Sequence, residues 1–70
     1  MKKTIEEQFG ERVRQFRKIL GISQEELAFR SDLHRNYISD VECGRRNVSL
    51  KAIEKIAIGL NIPIDALFVK

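Results

Sequence analysis

Apolar residues recur every three or four positions along nearly the whole of this chain, and only one proline (Pro63) and four glycines (Gly10, Gly21, Gly44, Gly59) punctuate it. That period belongs to the α-helix and not to the two-residue alternation of a strand, so the fold class reads as all-α, without strand or internal repeat. In the first segment, roughly Thr4 to Leu20, the residues Phe9, Val13, Phe16 and Leu20 form one face while Arg12, Arg14 and Lys18 point elsewhere. Gly21 supplies a C-terminal stop. Ser23 and Glu26 read as a capping box opening a helix from Gln24 to about Ser31, with Leu27 and Ala28 inward. After a short turn comes a third helix, Arg35 to Glu42, with Ile38 and Val41 as its apolar seam, ended by Gly44. Ser49 is the N-cap of a fourth, Leu50 to Leu60, whose core face is Leu50, Ile53, Ile56, Ala57 and Leu60, with Asn61 closing it in the left-handed conformation. Pro63 suits the first turn of a last short helix through Phe68, since its missing N–H would be unpaired there in any case.

A chain of 70 residues, 43% of them hydrophobic and 33% charged, has surface enough for one core and none for a second, so residues 1–70 are expected to be a single domain. No apolar run approaches the roughly 18 residues of a spanning helix, and no apolar stretch follows Lys2 and Lys3, so the expectation is a cytoplasmic protein without membrane contact. The single cysteine, Cys43, has no disulfide partner and reads as a half-buried filler. The single histidine, His34, reads as an N-cap or turn residue, and the two cannot make a structural zinc site alone. No third group orients them for catalysis, no metalloprotease or phosphate-loop pattern occurs, and neither an enzyme nor a cofactor is expected. The net charge of +3 is compatible with an anionic partner. Its distribution is more informative: basic segments at residues 1–20 and 45–55 flank an acidic middle, an arrangement that a plain solvated surface also permits.

Two short helices joined by a tight turn, QEELAFRSDLHRNYISDVE, have the spacing of a helix-turn-helix over residues 24–42. With Ile38 and Val41 directed inward, Asn36, Ser39 and Asp40 point away from the core, and Arg35 and Tyr37 lie on opposite flanks. Arginine binds guanine O6 and N7 bidentately, asparagine does the same with adenine N6 and N7, and serine serves several base edges. Asp40 can accept only from groups such as cytosine N4; orienting Arg35 and restraining the helix are its other roles. Arg35 as a phosphate contact, Asn36 as a plain exposed residue, and Arg45, Arg46 and Asn47 as a solvated loop remain the alternatives.

The runs GISQEELA, LHRNYISDVECGRRNVSL and LNIPIDALF resemble the Cro/C1-type (XRE-type) helix-turn-helix regulators over nearly the whole chain. Within that family, HRNYIS and GRRNVS look most like the controller proteins of restriction-modification systems. The resemblance implies a compact, five-helix, lambda-repressor-like domain, encoded by a bacterium or phage, that regulates transcription by binding double-stranded DNA. It further implies that Arg35, Asn36 and Asp40, together with Ser39, meet base edges. Gln24, Tyr37, Arg46 and Asn47 would touch the sugar-phosphate backbone. Arg17 and Glu42 would form a buried ion pair between the first helix and the recognition helix. Asp40 departs from the neutral or glycine residues favoured at its position.

A homodimer is expected from apolar residues that the core does not need. Ile58 lies well away from the Ile53, Ile56 and Leu60 face, and Ile64 and Phe68 add a second patch, giving a dimerisation region of about residues 58–69. Two recognition helices about 34 Å apart would match a palindromic operator. RNA polymerase is a further candidate partner, and an antitoxin-like protein-interaction module is the alternative to a dedicated DNA-binding regulator.

Overall fold

Every α-helix starts at a side chain that accepts an otherwise unpaired backbone N–H. Thr4, Ser23, His34 and Ser49 take the amides of Glu7, Glu26, Asn36 and Ala52, respectively. The computed structural model describes residues 2–68, arranged as α1 (Ile5–Leu20), α2 (Gln24–Ser31), α3 (Arg35–Glu42) and α4 (Leu50–Leu60), then a 3₁₀ helix (Ile64–Phe68). Left-handed residues close three of the four: Gly21 after α1, Asp32 after α2 and Asn61 after α4. Among the described residues there is no strand, and no helix is long and apolar enough to cross a membrane.

Several expectations need correction. The last element is not a fifth α-helix. With five residues it cannot complete a second α-turn, and Ala66 N–H instead bonds the Pro63 carbonyl three residues back, at 3.1 Å. Only the serine half of the Ser23–Glu26 box forms, because the Glu26 carboxylate pairs with Arg30 one turn on, at 2.9 Å. The reciprocal box sits at Thr4 and Glu7, where threonine precedes the helix rather than beginning it. Leu50, expected in the core, is 85% exposed, Leu20 is also exposed, and Cys43 is exposed rather than half-buried. Val69, the end of the expected dimerisation region, lies outside the described residues.

The core is built where α1, α2, α3 and α4 meet. Phe9 and Val13 of α1, Leu27 and Ala28 of α2, Ile38 and Val41 of α3, and Ile56, Ala57 and Leu60 of α4 are buried together, with Leu67 of the 3₁₀ helix closing the cluster. Gly10 and Gly59 are packing positions and not stops. A Cβ on Gly10 would lie 2.1 Å from the Val41 carbonyl oxygen, and one on Gly59 would lie 2.3 Å from Ser31 Oγ. The first contact brings α1 against the end of α3, and the second lets α4 lie close along α2.

Candidate nucleic-acid interface

The turn between α2 and α3 is fixed by backbone bonds. Asp32 adopts φ 55°, and the Leu33 N–H reaches back to the Ala28 carbonyl at 2.9 Å, so α2 stops abruptly. His34 Nδ1 then accepts the Asn36 amide at 3.1 Å, which starts α3 at Arg35 and assigns the ring proton to Nε2. With Ile38 and Val41 buried, the Arg35 and Asn36 side chains are exposed and Ser39 is half-buried on the outward side. No hydrogen bond or ion pair among the described residues engages the Arg35 or Asn36 side chain, so their full donor and acceptor sets face solvent.

The far end of α3 is tied to α1. Arg17 Nε and Nη2 donate to the two Glu42 carboxylate oxygens at 2.6 and 3.0 Å, a bidentate pair whose side chains are 13% and 4% exposed. Arg17 Nη1 also donates to the Ile22 carbonyl at 2.9 Å, and Gln24 Nε2 donates to Glu42 Oε1 at 3.1 Å. Hydrogen bonding to Glu42 raises the Arg17 pKa above the ordinary arginine value, against the opposing effect of burial and with Coulombic help from the same carboxylate. The guanidinium, charged at neutral pH already in free arginine, is held in its charged form. Gln24, at the first position of α2, thus joins the ion pair that secures the recognition helix, an arrangement the sequence does not disclose.

Asp40 has two partners that spacing alone did not identify. Its carboxylate pairs with Arg46 Nη2 at 3.2 Å and with Arg45 Nη2 at 3.5 Å. Among the described residues it makes no ion pair with Arg35. The Arg46 guanidinium also stacks 4.4 Å from the Tyr37 ring centroid, which gathers Tyr37, Asp40, Arg45 and Arg46 beside the C-terminal half of α3. Asn47 is exposed and lines a small cleft with Ile5, Val48, Ile53 and Phe68. The signal that would have found the cluster is the i, i+5 and i, i+6 spacing of Asp40 to two arginines across a glycine stop.

The apolar residues assigned to a dimer face are all exposed to some degree, but they do not form one stripe. Ile58 is exposed on α4, whereas Phe68 packs its ring against Phe9 with centroids 5.5 Å apart and leaves about half its surface open. A shallow cleft of about 360 Å³ is lined by Ile64, Phe68, Ile53, Leu50, Lys51 and Glu54. Leu50, one and two turns before Glu54 and Ile58 on the same side of α4, links the two patches.

The helix-turn-helix family model matches residues 13–67. The control protein C.BamHI of Bacillus amyloliquefaciens is 57% identical over 61 residues, covering 84% of this chain and 75% of its own length. C.MunI of a Mycoplasma species is 46% identical over 61 residues, covering 86% and 82%. Among solved structures, the restriction-modification controller protein C.AhdI of Aeromonas hydrophila superposes with a TM-score of 0.88 at 49% identity, over 90% of this chain and 96% of that one. With both the helix-turn-helix geometry and these relatives in place, the chain belongs to the XRE-type helix-turn-helix family of transcriptional regulators.

Proposed function

We propose that this protein is the controller of a restriction-modification system, which binds a palindromic operator as a homodimer and reads it with α3 in the major groove. The observation that carries this reading is the outward face of α3. Arg35 and Asn36 hold free hydrogen-bonding groups on a short helix that is anchored by Arg17, Glu42 and Gly10 and whose own apolar side is fully buried. The similarity to C.BamHI and C.AhdI supports the finer assignment.

Paired substitutions test the readout. Arg35→Ala is expected to cost about 1 to 3 kcal/mol on the cognate duplex and far less on random DNA. Arg46→Ala is expected to weaken binding to all sequences and to flatten the dependence of log K on log salt by about one unit. Equal losses on both duplexes for Arg35→Ala would make that residue a phosphate contact, and salt-insensitive binding by the wild-type chain would remove the DNA-binding reading.

The second copy is supported by Leu50, Ile58, Ile64 and Phe68, large apolar side chains that the core leaves exposed in a chain with little surface to bury. Sedimentation at micromolar concentration is expected to give a dimer, and Leu50→Lys or Ile58→Lys is expected to shift it toward monomer. A wild-type chain that remains monomeric with and without DNA would overturn both the interface and the palindrome.

A further inference from the structure

Among the described residues, Asp40 is the acidic side chain that pairs with Arg45 and Arg46 just beyond the recognition helix, and both its backbone and its carboxylate hold the loop that carries them. Its carbonyl accepts the Arg45 amide at 2.9 Å while Gly44, at φ 71°, donates to the Val41 carbonyl, so the first loop residues are bolted to the last turn of α3. Its two carboxylate oxygens face Arg45 and Arg46 separately, at 3.5 and 3.2 Å. The Tyr37 ring holds the Arg46 guanidinium from another side. The carboxylate is thus engaged with both loop arginines.

We infer that Asp40 is a specificity-determining electrostatic latch: its carboxylate offsets the charge of Arg45 and Arg46 and so suppresses binding to DNA of the wrong sequence. The inference rests on the DNA-binding reading above. Binding to random DNA draws its free energy almost wholly from cation–phosphate contacts, whereas a cognate site adds base contacts made elsewhere on α3. A counter-charge on Arg45 and Arg46 weakens their attraction to the phosphates of any duplex by a similar free energy, so discrimination comes from what the same carboxylate returns on the operator alone. The carboxylate holds Arg46 in one orientation, an ordering that benefits a fixed register on the operator and does nothing for sliding contacts.

The test uses the full chain, a 30-bp duplex of random sequence and the duplex that the wild-type chain enriches from a randomised pool. Asp40→Asn keeps the shape of the side chain and removes its charge. It is expected to tighten binding to the random duplex by roughly three- to tenfold at about 0.1 M salt and to steepen the salt dependence there. The enriched duplex is expected to gain less, so the ratio of the two affinities falls. That change should shrink when Asp40→Asn is made in an Arg45→Ala/Arg46→Ala background, because the cycle isolates the coupling. Thermal melting of each variant confirms that it is folded. An equal gain on both duplexes overturns the latch, as does a loss confined to the enriched duplex, which would make Asp40 a base contact. An effect undiminished in the arginine-free background overturns it too, while a wild-type chain that enriches no duplex overturns the DNA-binding reading itself.

Discussion

Glu42→Gln is expected to lower the unfolding free energy by about 3 to 5 kcal/mol, seen as a lower urea midpoint with an unchanged slope at one fixed protein concentration. The carboxylate is 4% exposed and receives two donors from Arg17 and one from Gln24. Glutamine supplies one carbonyl oxygen and no charge, so the Arg17 guanidinium, itself 13% exposed, is left desolvated with only neutral carbonyls, those of Ile22 and of the new glutamine, to accept from it. Removing both charges separates the worth of the pair from the cost of orphaning one member. Arg17→Met/Glu42→Leu should lose less than Glu42→Gln, because two apolar side chains of similar length carry no desolvation debt. The loss in the single variant should reach function as well, since this pair holds the end of α3 to α1. A Glu42→Gln variant that unfolds at the wild-type urea concentration would show that the pair does not anchor the recognition helix.

Helix boundaries were legible in the sequence because they are set by local chemistry. Ser23, His34 and Ser49 cap the starts of helices, and Gly21 and Asn61 end them, and each acts through backbone groups within a few residues of itself. The facing of α4 was less legible. Large apolar residues suggested that Leu50 belongs to the core face, but the buried residues are Ala52, Ile56, Ala57, Gly59 and Leu60. On a helical wheel their mean direction lies roughly 120° from Leu50. Small residues turned the helix: Gly59 lets α4 lie close to Leu27 and Ser31 of α2 where a larger side chain would hold it away, and Ala52 is buried on the same side of α4. Size complementarity between elements is a property of two segments and leaves no periodic trace in either. The same limit applies to the interface. The outward positions of Arg35 and Asn36 followed from the buried seam of α3, whereas the partners of Asp40 and Gln24 depend on how a loop and two helix ends come together in space.

Gly10→Ala is expected to destabilise the fold by about 2 kcal/mol or more, although alanine favours an isolated helix over glycine by about 1 kcal/mol. The added methyl would meet the Val41 carbonyl oxygen at 2.1 Å, the Val41 carbonyl carbon at 3.1 Å and the Glu42 carbonyl carbon at 3.2 Å. All three are backbone atoms in the last turn of α3, so no side chain can rotate to make room. Relief requires α1 and α3 to part by about an ångström, which thins the packing around Phe9 and Val13 and stretches the Arg17–Glu42 bonds on the same seam. Gly59→Ala is the comparison. Its shortest contact, 2.3 Å, is to the Ser31 hydroxyl, a side-chain atom that can turn aside, so the cost there should be smaller. Because the displaced element is the recognition helix, Gly10→Ala should also weaken binding to the enriched duplex more than Gly59→Ala does. Urea denaturation of the two variants orders them, and a Gly10→Ala chain as stable as wild type would mean that α1 and α3 do not touch backbone to backbone and that the position of α3 is set by the ion pair alone.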